Sequence, residues 1–125
     1  MAIVGIGTDL ARIARFRKFL DPDSRLLERL FSAEERNYAL AKRDPAPHLA
    51  ARFAAKEALL KALGTGLRDG LAWQQIRVVH DELGCPFLEL SGRAAELVQA
   101  RGAGRTHLSY SHDGDYAVAI VILEE

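Results

Sequence analysis

The chain has 125 residues, one domain's worth of sequence expected to span residues 1–125, and its 17 Lys+Arg are balanced by 17 Asp+Glu. Zero net charge removes any global case for nucleic acid or an anionic membrane, so every charge argument must be local. The single cysteine, Cys85, rules out an intrachain disulfide and fits a reducing, cytoplasmic setting; the opening M-A-I-V-G-I-G-T-D turns to Gly and Asp too early for a signal peptide, and no apolar run reaches the length of a membrane span.

In chain order, Ala2 to Thr8 reads as a short buried strand, with β-branched residues and two glycines that let another backbone approach closely. Asp9 is placed to N-cap a helix from Leu10 to Leu20 whose apolar stripe is Ile13, Phe16 and Leu20. A short helix is expected around Arg25 to Leu30. Ser32-Ala33-Glu34-Glu35 has the form of a capping box and opens a helix to about Lys42. Pro45 and Pro47 break the chain, and a long helix follows from about Pro47 to Leu63, stopped at Gly64. Gln75 to His80 and Pro86 to Leu90 read as strands joined at D-E-L-G. Ser91 is placed to cap a helix to about Arg101. Thr106 to Leu123 reads as a hairpin turning at Asp113-Gly114. Its second strand, Y-A-V-A-I-V-I-L, is apolar at successive positions, so both of its faces are expected to be covered. The order predicts an α+β fold, with a small antiparallel sheet packed against several helices, one of them long and central.

The long helix carries the first chemical question. From Leu49 to Leu63, eleven of fifteen residues are Ala, Leu or Phe, yet Arg52, Lys56, Glu57 and Lys61 are set among them. On a helical wheel Glu57 falls between Phe53 and Ala50, with Lys61 one turn on. Two readings stand: a Glu57–Lys61 i, i+4 pair worth a few tenths of a kcal/mol, or a site for a cation and the anion that shares it. A buried carboxylate lacking both partner and metal costs several kcal/mol, so Glu57 needs one or the other. Asp9 has two readings as well, helix cap or metal-ligand carboxylate at the end of a strand. In S-Y-S-H-D-G-D-Y, His112 is either a surface turn residue or a phosphate contact. G-T-G at Gly64 to Gly66 is either a helix C-cap or part of a phosphate cradle; a helix C-terminus repels anions, so Lys61 and turn N–H groups would have to hold a phosphate there. G-I-G-T-D-L lacks the third glycine of a dinucleotide fingerprint.

Taken together, G-I-G-T-D-L-A-R-I-A-R-F, R-F-A-A-K-E-A-L-L-K-A-L-G-T-G and S-H-D-G-D-Y-A-V-A resemble the three blocks of the holo-acyl-carrier-protein synthases, in the 4′-phosphopantetheinyl transferase superfamily. The order and spacing are similar too, and E-R-L-F-S-A-E-E resembles the connecting segment. The first block departs at Arg12, where an acidic residue is expected. The resemblance implies transfer of the phosphopantetheine arm of coenzyme A to a serine of apo acyl carrier protein, with release of adenosine 3′,5′-bisphosphate and dependence on Mg²⁺. It implies that Asp9 and Glu57 ligate Mg²⁺ and that Lys61 contacts the pyrophosphate, these three forming the catalytic group. Arg52, Lys56, Gly64, Thr65, Ser111 and His112 become contacts to the nucleotide and its phosphates. Arg15 and Arg25 become carrier-docking residues, and Arg12, Arg15 and Lys18 are expected to form one cationic stripe on the first helix. A homotrimer with active sites at subunit interfaces is also implied. The competing expectations are a non-catalytic module that binds coenzyme A or a nucleotide, and a structural subunit that binds neither.

Overall fold

The computed structural model describes residues 1–68 and 70–125. Strand β1 (Ile3–Arg12) is followed by α1 (Ile13–Arg17), α2 (Leu26–Leu30), α3 (Ala33–Leu40) and the long α4 (Pro45–Leu63). Then come β2 (Ile76–His80), β3 (Pro86–Leu90), α5 (Gly92–Ala100), β4 (Arg105–Asp113) and β5 (Tyr116–Glu124). β1, β5 and β4 form a three-stranded antiparallel sheet with β5 in the middle; β2 and β3 form a separate hairpin. This is the α+β arrangement expected, with α4 as its central helix.

Two boundaries differ from the sequence reading. β1 runs on through Asp9 to Arg12, because β5 offers a partner along that whole length, from Leu10 opposite Val118 to Arg12 opposite Tyr116. Strand pairing therefore overrides the local capping signal: Asp9 is a strand residue and caps nothing. The helix expected over Leu10 to Leu20 shrinks to one turn of α1 and a 3₁₀ turn at Lys18–Leu20, with Ile13 and Phe16 still buried. α4 starts two residues earlier than expected, with Pro45 at its first position, where a missing N–H costs nothing.

α4 is buried on nearly every side. β1 can lie against it because of Gly5 and Gly7. A Cβ on Gly7 would stand 1.9 Å from the Ala58 carbonyl oxygen, and one on Gly5 would stand 2.5 Å from that of Ala62. The strand backbone thus rests directly on the helix backbone. Asp9 and Ala11 share the inward face with Gly7, which carries the Asp9 carboxylate toward the last turns of α4. The helix ends at Gly64, whose φ of 77° is left-handed and whose N–H bonds the Leu60 and Lys61 carbonyls.

Other expectations are met by different atoms. The Ser32–Glu35 capping box is formed in both directions. Ser91 precedes α5, but its side chain makes no cap; the Gln75 side-chain oxygen accepts from Ala94 N–H instead. β5 alternates: Ala117, Ala119, Val121 and Leu123 are buried, whereas Tyr116, Val118 and Ile120 are not. Within one chain, only one face of that strand is covered.

Candidate active site

Three elements supply the site. β1 brings Asp9, α4 brings Glu57 and Lys61, and α1 brings Arg15. Lys61 Nζ donates to Asp9 Oδ1 at 2.9 Å, with the Asp9 side chain mostly buried and that of Lys61 about half exposed. The i, i+4 pair with Glu57 is therefore not the one that forms. Glu57 has no ion pair or hydrogen-bond partner among the described residues. Its carboxyl titrates above the usual 4.5, first through burial and next through the neighbouring Asp9 charge, with Lys61 and Arg15 acting in the opposite direction. Two carboxylates thus lie close together, partly buried, with a half-exposed ammonium beside them. The Arg15 guanidinium is laid over Phe53 and Phe16, 5.6 and 5.9 Å from the ring centres, at the edge of this recess.

Lys56 takes no part. It is fully buried, and its Nζ donates to Glu35 Oε1 at 2.8 Å, Leu30 O at 2.8 Å and Trp73 O at 3.2 Å. All three of its protons are engaged, so the expectation of a nucleotide contact at Lys56 is corrected: it is a buried structural cation. Its partner Glu35 also accepts from Ser32 N and Val78 N. The capping box was legible in sequence, but nothing in the spacing joined Glu35 to Lys56, 21 residues on.

Arg52 is 1% exposed and lines a cavity of about 220 Å³ with Glu34, Tyr38, Val78 and His80. It lies five residues before Glu57, roughly 140° around the helix from it. Around it stand Tyr38, His48, His80 and Tyr110, from four different elements. None of these was singled out in the sequence, where no periodic signal links them. His112 joins their edge, its ring 6.0 Å from that of His48. Ser111, one residue away on the same strand, points to the opposite face of the sheet, opposite Val118. Ser111 and His112 therefore cannot serve one ligand from one side. Gly64 and Thr65 form the turn after α4, where the Thr65 hydroxyl donates to the Gly66 carbonyl at 3.0 Å.

The expected cationic stripe does not form on one helix. Arg12 ends β1 with its guanidinium 5.3 Å from the centre of the Tyr116 ring, Arg15 is on α1, and Lys18 is in the 3₁₀ turn. That stacking gives the departure at Arg12 a local packing role. Arg25 precedes α2; its side chain is 88% exposed and its nearest acid, Glu28, is 3.9 Å away. Among the described residues no group of three or more His, Cys, Asp and Glu gathers as a metal site; Asp9 and Glu57 are a neighbouring pair of carboxylates. Nor is any described helix long and apolar enough to cross a membrane.

A family model described as the 4′-phosphopantetheinyl transferase superfamily matches residues 5–121. A holo-[acyl-carrier-protein] synthase of Syntrophotalea carbinolica is 60% identical over 96% of this chain and 94% of its own. One from Trichlorobacter lovleyi is 58% identical over 98% of each. Among solved structures, the holo-[acyl-carrier-protein] synthase of Neisseria meningitidis superposes with a TM-score of 0.86 at 35% identity, covering 99% of this chain and 100% of that one. The Helicobacter pylori enzyme, solved in complex with coenzyme A, superposes with a TM-score of 0.82 at 30% identity, covering 95% and 99%.

Proposed function

The chain belongs to the 4′-phosphopantetheinyl transferase superfamily, and from that premise we propose how its residues divide the work of moving phosphopantetheine from coenzyme A to a serine of apo acyl carrier protein. The observation that carries the reading is the Asp9–Glu57 pair with Lys61 on Asp9. A structural ion pair accounts for Asp9 and Lys61 but leaves Glu57 half-buried, unpartnered and pushed toward protonation.

The serine oxygen forms a bond to the phosphorus that carries pantetheine, and the bond from that phosphorus to the bridging oxygen breaks. Adenosine 3′,5′-bisphosphate leaves with the electron pair. The donor is already activated, so the protein contributes alignment and charge neutralisation. Asp9 and Glu57 fit Mg²⁺, a hard cation that takes oxygen ligands and keeps several waters. When bound, Mg²⁺ offsets the negative charge of the pyrophosphate. Lys61 has two ammonium protons beyond the one given to Asp9 and a half-exposed stem, so it can reach the pyrophosphate and offset charge growing on the bridging oxygen. Glu57, half-buried and without a side-chain partner among the described residues, is the carboxylate placed to accept the serine proton. Arg52 and His112 contact the phosphates of the nucleotide, and Gly64 and Thr65 border its path. Arg15 and Arg25 dock an acidic carrier.

A homotrimer belongs to the same reading. The outer face of the sheet carries Ile6, Leu10, Val118 and Ile120, all 38–63% exposed, in a continuous patch across β1 and β5. Such a patch is the kind of surface that packs against another chain, which supports the reading. Arg52 and Glu57 also face away from each other on α4, so one ligand touching both is more easily served by two chains than by one. Cytoplasmic residence fits the exposed, unpaired Cys85.

The test is direct: purified chain, apo acyl carrier protein, coenzyme A and Mg²⁺, read by mass spectrometry. A gain of one phosphopantetheine, abolished by chelation and restored by Mg²⁺, is expected. An unchanged carrier mass alongside measurable coenzyme A binding would instead support a non-catalytic module.

A further inference from the structure

Arg52 is among the largest fully buried side chains of the molecule, yet no carboxylate pairs with it among the described residues. Its Nη1 donates to the His48 carbonyl at 3.0 Å, its Nη2 lies 3.3 Å from His80 Nε2, and its Nε has no partner. Its face lies over Tyr38, 4.2 Å from the ring centre. A buried cation normally brings a carboxylate with it; one held by neutral groups keeps its charge free for an incoming anion.

The contact with His80 fixes a protonation state. A guanidinium only donates, so His80 Nε2 must accept, which places the ring proton on Nδ1 and leaves the imidazole neutral. The same Nε2 lies 3.1 Å from the Tyr110 hydroxyl, and the ring stacks on Tyr38 at 4.6 Å with a 20° tilt. One imidazole thus ties α4, α3 and β4 together around the guanidinium. Every element packed there contributes a charged or titratable group. Arg52 and Lys42 disfavour the imidazolium, Asp81 and Glu34 favour it, and burial disfavours it most, so His80 titrates below the ordinary 6.5. Tyr110, on the third side, is held protonated, its hydroxyl pushed up by burial.

We propose that His80 is a positioning residue: its Nε2 sets the plane of the Arg52 guanidinium for a phosphate of the coenzyme A nucleotide, with Tyr38 and Tyr110 holding the imidazole in register. The proposal rests on the reading of Arg52 as a phosphate contact. Protonated His80 turns an acceptor into a donor that faces a cation, and the guanidinium then loses the contact that orients it.

His80→Phe keeps the stack on Tyr38 and removes the acceptor; His80→Gln supplies an acceptor oxygen. The expected result is a rise of about tenfold in KM for coenzyme A in His80→Phe, with kcat and the KM for carrier protein nearly unchanged, and recovery in His80→Gln. In an Arg52→Met background, His80→Phe should add almost nothing, since its effect passes through Arg52. The pH profile gives an independent reading. His48 and the ligand's own phosphates titrate in both proteins, so the quantity of interest is a difference: as pH drops below 6.5, log KM for coenzyme A should climb with a slope one proton smaller in His80→Gln than in the wild type. A merely structural His80 would lower Tm and leave the two pH slopes equal. An unchanged KM in His80→Phe, full additivity with Arg52→Met, or equal slopes each overturns the proposal. A wild type that transfers no phosphopantetheine would overturn the parent reading instead, and coenzyme A affinities of the same variants by calorimetry would still decide the role of His80.

Discussion

On the proposed reading, Glu57 is placed for function at the expense of the fold. Its folded carboxyl titrates above 4.5 because burial and Asp9 both disfavour the charged form. The sign follows: stability associated with the protonated group is fully present below 4.5 and is lost as pH rises through the folded value. Without Mg²⁺, Glu57→Gln should therefore have a higher Tm than the wild type at pH 7, and the gap should close as pH falls through the raised folded value, to be gone below 4.5. Its turnover should drop by about a hundredfold or more. Thermal melts across pH, paired with a transfer assay, check both; a Gln variant no more stable at pH 7 would remove the electrostatic conflict. Asp9→Asn separates a different pair of ideas. In a strand, Asn costs little in stability and still accepts from Lys61, so a purely structural ion pair predicts near-normal turnover. Loss of turnover by orders of magnitude at unchanged Tm is the expected outcome.

At the scale of elements, α4 is positioned by two devices. Lys56 and Glu35 join α4 to α3, to the end of α2 and to β2 through a fully buried ion pair. Removing one member leaves the other charge buried and unmatched, so Lys56→Met should cost about 3–5 kcal/mol of stability in denaturant melts. Burial outweighs Glu35 in holding the Lys56 ammonium below its usual range, but the three hydrogen bonds keep the pair intact. The second device is the glycine contact. Gly7→Ala would drive a methyl into the Ala58 carbonyl, so β1 must shift and Asp9 with it. Both stability and turnover should fall together, unlike the pattern of Asp9→Asn. These devices also mark what the sequence could convey. The apolar makeup of α4, its glycine stop, the Ser32 box and the two hairpins are local patterns, and each was legible within a dozen residues. Glu57 was legible as an anomaly, a charge with no polar face to occupy. The pairing of Lys61 with Asp9 across 52 residues was not, and neither was the length of β1, because a strand's extent depends on its partner. The ring cluster around Arg52 draws on α3, α4, β2 and β4, and no spacing encodes a meeting of four elements.

At the scale of the whole molecule, assembly and the geometry of α4 meet in one experiment. Arg52 and Glu57 project roughly 140° apart from the same helix, while the apolar outer face formed by β1 and β5 is exposed. If three chains close around that face, each site can take its carboxylates from one chain and its buried guanidinium from the next. Cyclic closure makes all three sites equivalent. Leu10→Lys, on the patch and remote from the inward face, should lower the mass in light scattering from three chains to one and raise the KM for coenzyme A. Complementation is the sharper measurement. Arg52→Met and Glu57→Gln chains, each shown to be folded, should be nearly inactive alone at coenzyme A concentrations near the wild-type KM, the first through its raised KM and the second through its lowered kcat. When they are denatured and refolded together at equal amounts, random trimers place an intact Glu57 beside a neighbour's intact Arg52 at about one site in four. Mixed trimers should therefore recover about a quarter of wild-type turnover. A site built within one chain recovers nothing on mixing, since every chain then carries a lesion in its own site, and that result would dismiss the shared site even if the trimer itself were found.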